Sequence, residues 1–194
     1  MKFTKMHGAG NDYVYVNGYD QTLDWPDISE KISDRHKGIG ADGLIVAVPS
    51  TIADLKMRMF NADGSEGEMC GNGIRCLVAF AISEGLVGPD VSVISVETGA
   101  GVLDVHPSFG NNGIDGATVE MGEPILKPSV IPVQLTDESF PVMDYPMEVN
   151  GSKFFMTFVS MGNPHAITFL EEDVSSFPLE EIGPLVENHK MFPN

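Results

Sequence analysis

The sequence predicts a mixed α/β fold of the α+β kind, and three observations carry that prediction. The stretch Gly73-Ile74-Arg75-Cys76-Leu77-Val78-Ala79-Phe80-Ala81-Ile82 holds no helix breaker and is apolar on every side, the pattern of a helix buried all round. Short segments rich in Val, Ile and other apolar residues, such as Leu44–Val48, Leu55–Phe60 and Val91–Glu97, are divided by Gly-containing turns and read as strands. Two stretches also echo each other. Met6–Val14 and Ser160–Ile167 both read strand, Gly-Asn turn, strand, which suggests an internal repeat.

Taken in order, Lys2–Met6 and Tyr13–Val16 are expected strands, interrupted by His7-Gly8-Ala9-Gly10-Asn11-Asp12. Glycine at that density brings backbone close to something or takes up positive φ. Ile28–Asp34 is an expected short helix with Asp27 as its N-cap. Gly38, Gly40 and Gly43 then match G-x-G-x-x-G. The dinucleotide fingerprint needs a strand before it and a helix after; here the order is reversed, so a nucleotide site is rejected. Thr98–Gly101 is a turn into the strand Val102–Val105, and Asn111-Asn112-Gly113 is a hairpin signal before a strand at Ala117–Met121. Pro124, Pro128 and Pro132 mark a looser connection. That places a domain boundary near Thr118, giving domains 1–118 and 119–194. Lys153–Ser160 and Ala166–Leu170 are further strands, and Leu179–His189 is a final short helix.

Composition excludes several classes. The net charge of −17, from 28 acidic and 11 basic residues, includes no Lys/Arg cluster, so neither nucleic acid nor an anionic membrane is an expected partner. Met1–Gly10 lacks the apolar core of a signal peptide, and no apolar run approaches spanning length. Two cysteines do not make a secreted disulfide framework. Six residues apart on one helix they would stand ~9 Å from each other, beyond the roughly 7 Å between Cα atoms that a disulfide tolerates. A reduced, cytoplasmic protein is expected. His7, His36, His106 and His189 show no paired metal-ligand spacing, and no metal site is expected.

Cys70 stands apart. Flanked by Gly71 and Gly73, it falls at the mouth of the buried helix, with free N–H groups behind it that favour negative charge on the sulfur. A thiol there can act as acid or base. Cys76, inside the same helix, reads as a small buried apolar residue.

Four ordered motifs together resemble diaminopimelate epimerases: Lys5–Val14, Arg35–Gly43, Asn61–Ser65 with Met69–Cys76, and Ser160–His165. The resemblance implies a curved, mostly antiparallel sheet wrapped around a central helix, in two pseudo-symmetric domains. It also implies a cofactor-independent enzyme of lysine biosynthesis that interconverts LL- and meso-diaminopimelate. One cysteine, as thiolate, removes the α-proton while another, as thiol, protonates the opposite face. Cys70 matches the first of these. Gly71 and Asn72 match the backbone cradle for the reacting carboxylate. Asn11, Asn61 and Asn163 match side chains that grip the substrate, and His165 matches a position that tunes cysteine ionisation. The family commonly forms homodimers.

The departure from the family comes at Phe192-Pro193-Asn194, beyond which the family pattern continues. The expected further Asn, the Glu-Arg pair and the second cysteine are not among its residues. The second domain is therefore expected to be incomplete and to expose apolar surface, and the 194-residue chain alone to be inactive. Proline racemases and hydroxyproline epimerases, the nearest rivals, usually carry His where Asn72 stands and lack Gly162-Asn163-Pro164-His165. A phenazine-type isomerase would lack the cysteine. A non-catalytic binding module is the rival from another class.

Overall fold

The fold is seen in a computed structural model that describes residues 1–111 and 113–193; Asn112, at the expected hairpin turn, and Asn194 lie outside the described residues. Two units divide the chain, Met1–Met121 and Gly122–Asn194.

In the first unit, β1 (Thr4–Gly8) and β2 (Asn11–Asn17) form a hairpin around Ala9-Gly10. Helix α1 (Trp25–Ser33) leads to β3 (Gly43–Val48), which lies parallel to β2. Next come β4 (Leu55–Asn61), the two-residue β5 (Glu66–Gly67) and α2 (Gly71–Ser83). The strands β6 (Ile94–Thr98), β7 (Gly101–Gly110) and β8 (Gly113–Val119) complete the sheet, in the order β1-β2-β3-β4-β6-β7-β8 with β5 on β4. Among the described residues only β2/β3 and β4/β6 pair in parallel. Those are the two places where a helix intervenes, since a parallel neighbour needs a crossover rather than a tight turn.

The central strands are buried on both faces. Tyr13, Tyr15, Ile45, Met57 and Met59 point to the α2 side, packing with Ile74, Leu77, Val78 and Phe80. Val14, Val16, Leu44, Val46 and Phe60 point to the α1 side with Trp25, as the two-residue side-chain period of a strand requires. Helix α2 touches β1 and β2 at one edge of the sheet and β7 and β8 at the other. Seven strands laid flat at ~4.8 Å spacing would put those edges about 29 Å apart. A helix about 10–12 Å across cannot reach both. The sheet is therefore curled around α2.

Helix α1 starts earlier than the sequence suggests. Asp24, not Asp27, is its N-cap, accepting from the Asp27 N–H at 3.3 Å, and Pro26 sits in the first turn, where a missing N–H costs nothing. The glycines Gly38, Gly40 and Gly43 follow this helix and precede or open β3, the reverse of a dinucleotide loop.

In the second unit, β9 (Tyr145–Val149), β10 (Ser152–Ser160) and β11 (Pro164–Ile167) form an antiparallel sheet in the order β11-β10-β9, followed by α3 (Leu179–Glu187). Its core joins Ile131, Val133, Met147, Val149, Met156, Phe158 and Ile182. Phe169, Val174 and Leu179 stay exposed, Phe169 at 89%.

Candidate active site

Cys70 is the N-cap of α2. Its backbone is extended, and its Sγ accepts from the Gly73 N–H at 3.3 Å while its carbonyl accepts from Ile74 at 2.9 Å. The N–H groups of Gly71 and Asn72 have no partner among the described residues, as the first amides of any helix lack one within it. The half-buried sulfur thus sits beside two donors that can receive an anion.

Two features hold this helix start in place. The Tyr15 hydroxyl donates to the Gly73 carbonyl at 3.1 Å from a fully buried position. Gly8, in the β1–β2 hairpin, lies so close that a Cβ there would come within 2.8 Å of the Asn72 carbonyl oxygen. On the helix itself, Arg75 donates through Nε to the Gly71 carbonyl at 3.2 Å and through Nη2 to the Asn72 side-chain oxygen.

Asn11, the first residue of β2, meets the sulfur directly: the Cys70 thiol donates to its Oδ1 at 3.3 Å. Its other end, Nδ2, donates to Asp42 Oδ2 at 2.7 Å. The parallel register that sets Tyr13 opposite Gly43 brings Asp42 beside Asp12, and Asp42 Oδ2 also accepts from the Asp12 N–H at 3.0 Å. Arg35 Nη2 bridges Asp12 Oδ1 at 2.7 Å and Asp42 Oδ1 at 2.9 Å, while Lys5 Nζ reaches Asp12 Oδ2 at 3.0 Å. The Arg35 guanidinium, followed by Lys5, holds the Asp12 carboxyl well below the usual carboxylate range against the opposing effect of burial. Tyr13 faces both Cys70 and Asn11. Burial first, then the neighbouring Cys70 charge, push its hydroxyl well above the usual phenol range.

Of the other sequence-derived positions, Asn61 lies opposite Gly43, next to Asp42, without a described bond to the cluster, and the rest are in the other unit or inside α2. Asn61 ends β4 with its Nδ2 on Ser65 Oγ at 2.9 Å, inside the turn to β5. Asn163 and His165 belong to the exposed β10–β11 hairpin of the second unit. Cys76 is buried in α2, and burial pushes its thiol up. Asp42, Tyr13 and Arg75 went unread as site residues. Asp42 and Tyr13 are marked only by partners distant in sequence, and Arg75 only by oxygens three and four residues back on its own helix. Among the described residues no cluster of three or more His, Cys, Asp or Glu could hold a metal ion.

Residues 3–127 match the family model of diaminopimelate epimerase. A diaminopimelate epimerase of Agathobacter rectalis is 53% identical over all of this chain, which spans 69% of that relative's length. One of Methanococcus maripaludis is 52% identical, again over the whole chain and 68% of the relative. Among solved structures, a probable proline racemase from Agrobacterium radiobacter has a TM-score of 0.62 at 14% identity, over 93% of this chain and 52% of that one. A phenazine biosynthesis protein from Bacillus anthracis has a TM-score of 0.56 at 21% identity, over 87% and 56%. The chain spans about half the length of these solved structures, and at such identity they share its fold. No helix among the described residues is long and apolar enough to cross a membrane.

Proposed function

Because the chain belongs to the diaminopimelate epimerase family, we propose that it carries one half of a two-cysteine stereoinversion centre acting on diaminopimelate. Cys70 exchanges a proton with the α-carbon, as base in one direction and acid in the other. Charge that builds on the α-carboxylate as the proton leaves is received by the Gly71 and Asn72 N–H groups, which are already in place and need no reorganisation. Asn11, Asn61 and Asn163 hold the substrate's polar groups, since an amide can both donate and accept without adding charge beside a thiolate. His165 biases cysteine ionisation. The chemistry uses side chains and amides alone, with no cofactor. The setting is cytoplasmic lysine biosynthesis, with the working enzyme a homodimer.

The observation that carries this reading is the sulfur itself, capping the buried helix beside two amides with no partner among the described residues. The mechanism needs a second thiol on the opposite face of the substrate. Cys76 is the only other cysteine of the 194 residues, and it is buried within α2. This chain by itself is therefore expected not to invert its substrate. The test uses a protein carrying this chain together with the remaining third of its relatives' length. LL-diaminopimelate in deuterated solvent should gain deuterium at one α-carbon, and Cys70→Ala should abolish the gain while the far-ultraviolet circular dichroism stays unchanged. A binding module would give no exchange at all.

A further inference from the structure

Asn11 reaches Cys70 with one end of its amide and Asp42 with the other. A carboxylate has no proton to give and can only accept. The amide NH2 must therefore face Asp42, and the carbonyl end must face the sulfur. We propose, building on the reading of Cys70 as the reacting thiol, that Asp42 is a positioning residue: by fixing which way the Asn11 amide points, it presents Cys70 with a hydrogen-bond acceptor.

The consequence follows from the two neighbours of Sγ. The Gly73 N–H donates to the sulfur, and Asn11 Oδ1 accepts from it. A thiol satisfies both. A thiolate keeps the first and meets the negative end of the amide dipole at the second. The donor favours the charged form and the acceptor the neutral one, so the orientation of one amide decides the balance. An amide torsion is broad and nearly two-fold. Without Asp42 the group is free to turn over and offer its NH2 to the sulfur.

Asp42 is itself held. Arg35 takes its Oδ1, and the Asp12 N–H shares its Oδ2 with Asn11. Lys5 and Arg35 offset Asp12 and Asp42, so the cluster carries no net charge. Other ionisable groups lie close to the Cys70 helix start, on β2 and along α2 itself. Tyr13 and Tyr15 are on β2, and both hydroxyls are pushed up, chiefly by burial. Arg75 and Cys76 lie along α2, where Cys76 is pushed up by burial. The shifted groups stay protonated across the neutral range.

The test needs no substrate and uses the 194-residue chain. Cys70 is alkylated with iodoacetamide across a pH series, and peptide mass spectrometry separates it from Cys76. In Asp42→Ala the pH of half-maximal rate should fall by about one unit, a tenfold change in the ionisation equilibrium. Asp42→Asn removes the same charge but keeps an oxygen to accept from Asn11, and should stay within roughly 0.3 unit of the unaltered chain. Asn11→Ala should also fall, and adding Asp42→Ala to it should change nothing further, beyond roughly 0.3 unit. Equal falls in Asp42→Ala and Asp42→Asn would show that charge alone acts. An extra fall in the double variant, or none in Asp42→Ala, would equally overturn the proposal. Should Asp42→Ala fail to fold, the contrast between Asn11→Ala and Asp42→Asn decides. Alkylation and deuterium exchange fail independently, so loss of either leaves the other standing.

Discussion

The two hairpins built on a Gly-Asn turn use the same local chemistry and come out differently. In the β1–β2 hairpin, Asn11 is tied at both ends of its amide, to Asp42 and to Cys70. In the β10–β11 hairpin, Asn163 is exposed, and its described contact is a carbonyl accepting from Met161 at 3.4 Å. The reason lies in what backs each turn. β2 is an interior strand, paired with β1 and β3 and packed against α2. β11 is the edge of a three-stranded sheet. The helices differ in the same way. α2 is enclosed by its curled sheet, whereas α3 buries Ile182 and leaves Leu179 67% exposed. A turn becomes a site when a helix start is pressed against it, and that requires an enclosed helix.

The largest test of this contrast is a cavity on each helix. Leu77, in α2, is wholly buried and Ile182, in α3, is nearly so. Leu77→Ala should cost about 3–5 kcal/mol, because the surrounding sheet cannot collapse onto the gap; Ile182→Ala should cost about 2, since a one-sided helix can settle inward. Urea titrations would compare them, with the fluorescence of the single Trp25 reporting on the first unit and circular dichroism on both. Equal costs would remove the distinction between the helices. Gly8→Ala comes next. Its Cβ would meet backbone, the Asn72 carbonyl at 2.8 Å, which cannot swing aside as a side chain would. A loss of about 1–3 kcal/mol is expected, with a changed alkylation rate at Cys70 as the helix start is pushed from the hairpin. An unchanged melt and rate would mean that the hairpin does not position the sulfur.

These contrasts also mark what the sequence could disclose. The helix start at Cys70 was legible because it is local: an apolar run with glycines at its mouth decides it within a few residues. β3 and β4 were legible for the same reason. The pairing of strands was not. Register is a long-range property, and nothing near Asp42 announces that it will lie beside Asp12, 30 residues earlier. The meeting of Asn11 and Cys70 spans 59 residues, and only the family resemblance marked both. β9 went unread because Tyr145-Pro146-Met147 places a proline inside it, a signal that argues against a strand unless an edge accommodates it; β9 is such an edge. The early start of α1 rests on Asp24 accepting from the Asp27 N–H, a contact that the residue order alone does not single out from a cap at Asp27.

The smallest expected effect sharpens the comparison from the charge side. Only the first hairpin is anchored by an ion-pair cluster among the described residues, and its strongest link is Arg35 to Asp12. Asp12's carboxyl is depressed in the folded chain relative to the ordinary value of 3.8. A depressed carboxyl stabilises the fold above its unfolded value and loses that contribution as the pH falls towards the folded one. Arg35→Met should therefore lower the melting temperature at neutral pH, by no more than roughly 3 °C, because Arg35 is mostly exposed and solvent screens such pairs. The difference from the unaltered chain should shrink as the solution is acidified below about pH 4 and keep shrinking as the pH falls towards the depressed folded value. It should also shrink in 1 M salt, where screening acts within about 3 Å. Melting curves at pH 7, 4 and 2 check the sign. A penalty that grows on acidification would mean that Arg35 serves through packing, and the hairpin's anchor would then be steric rather than electrostatic.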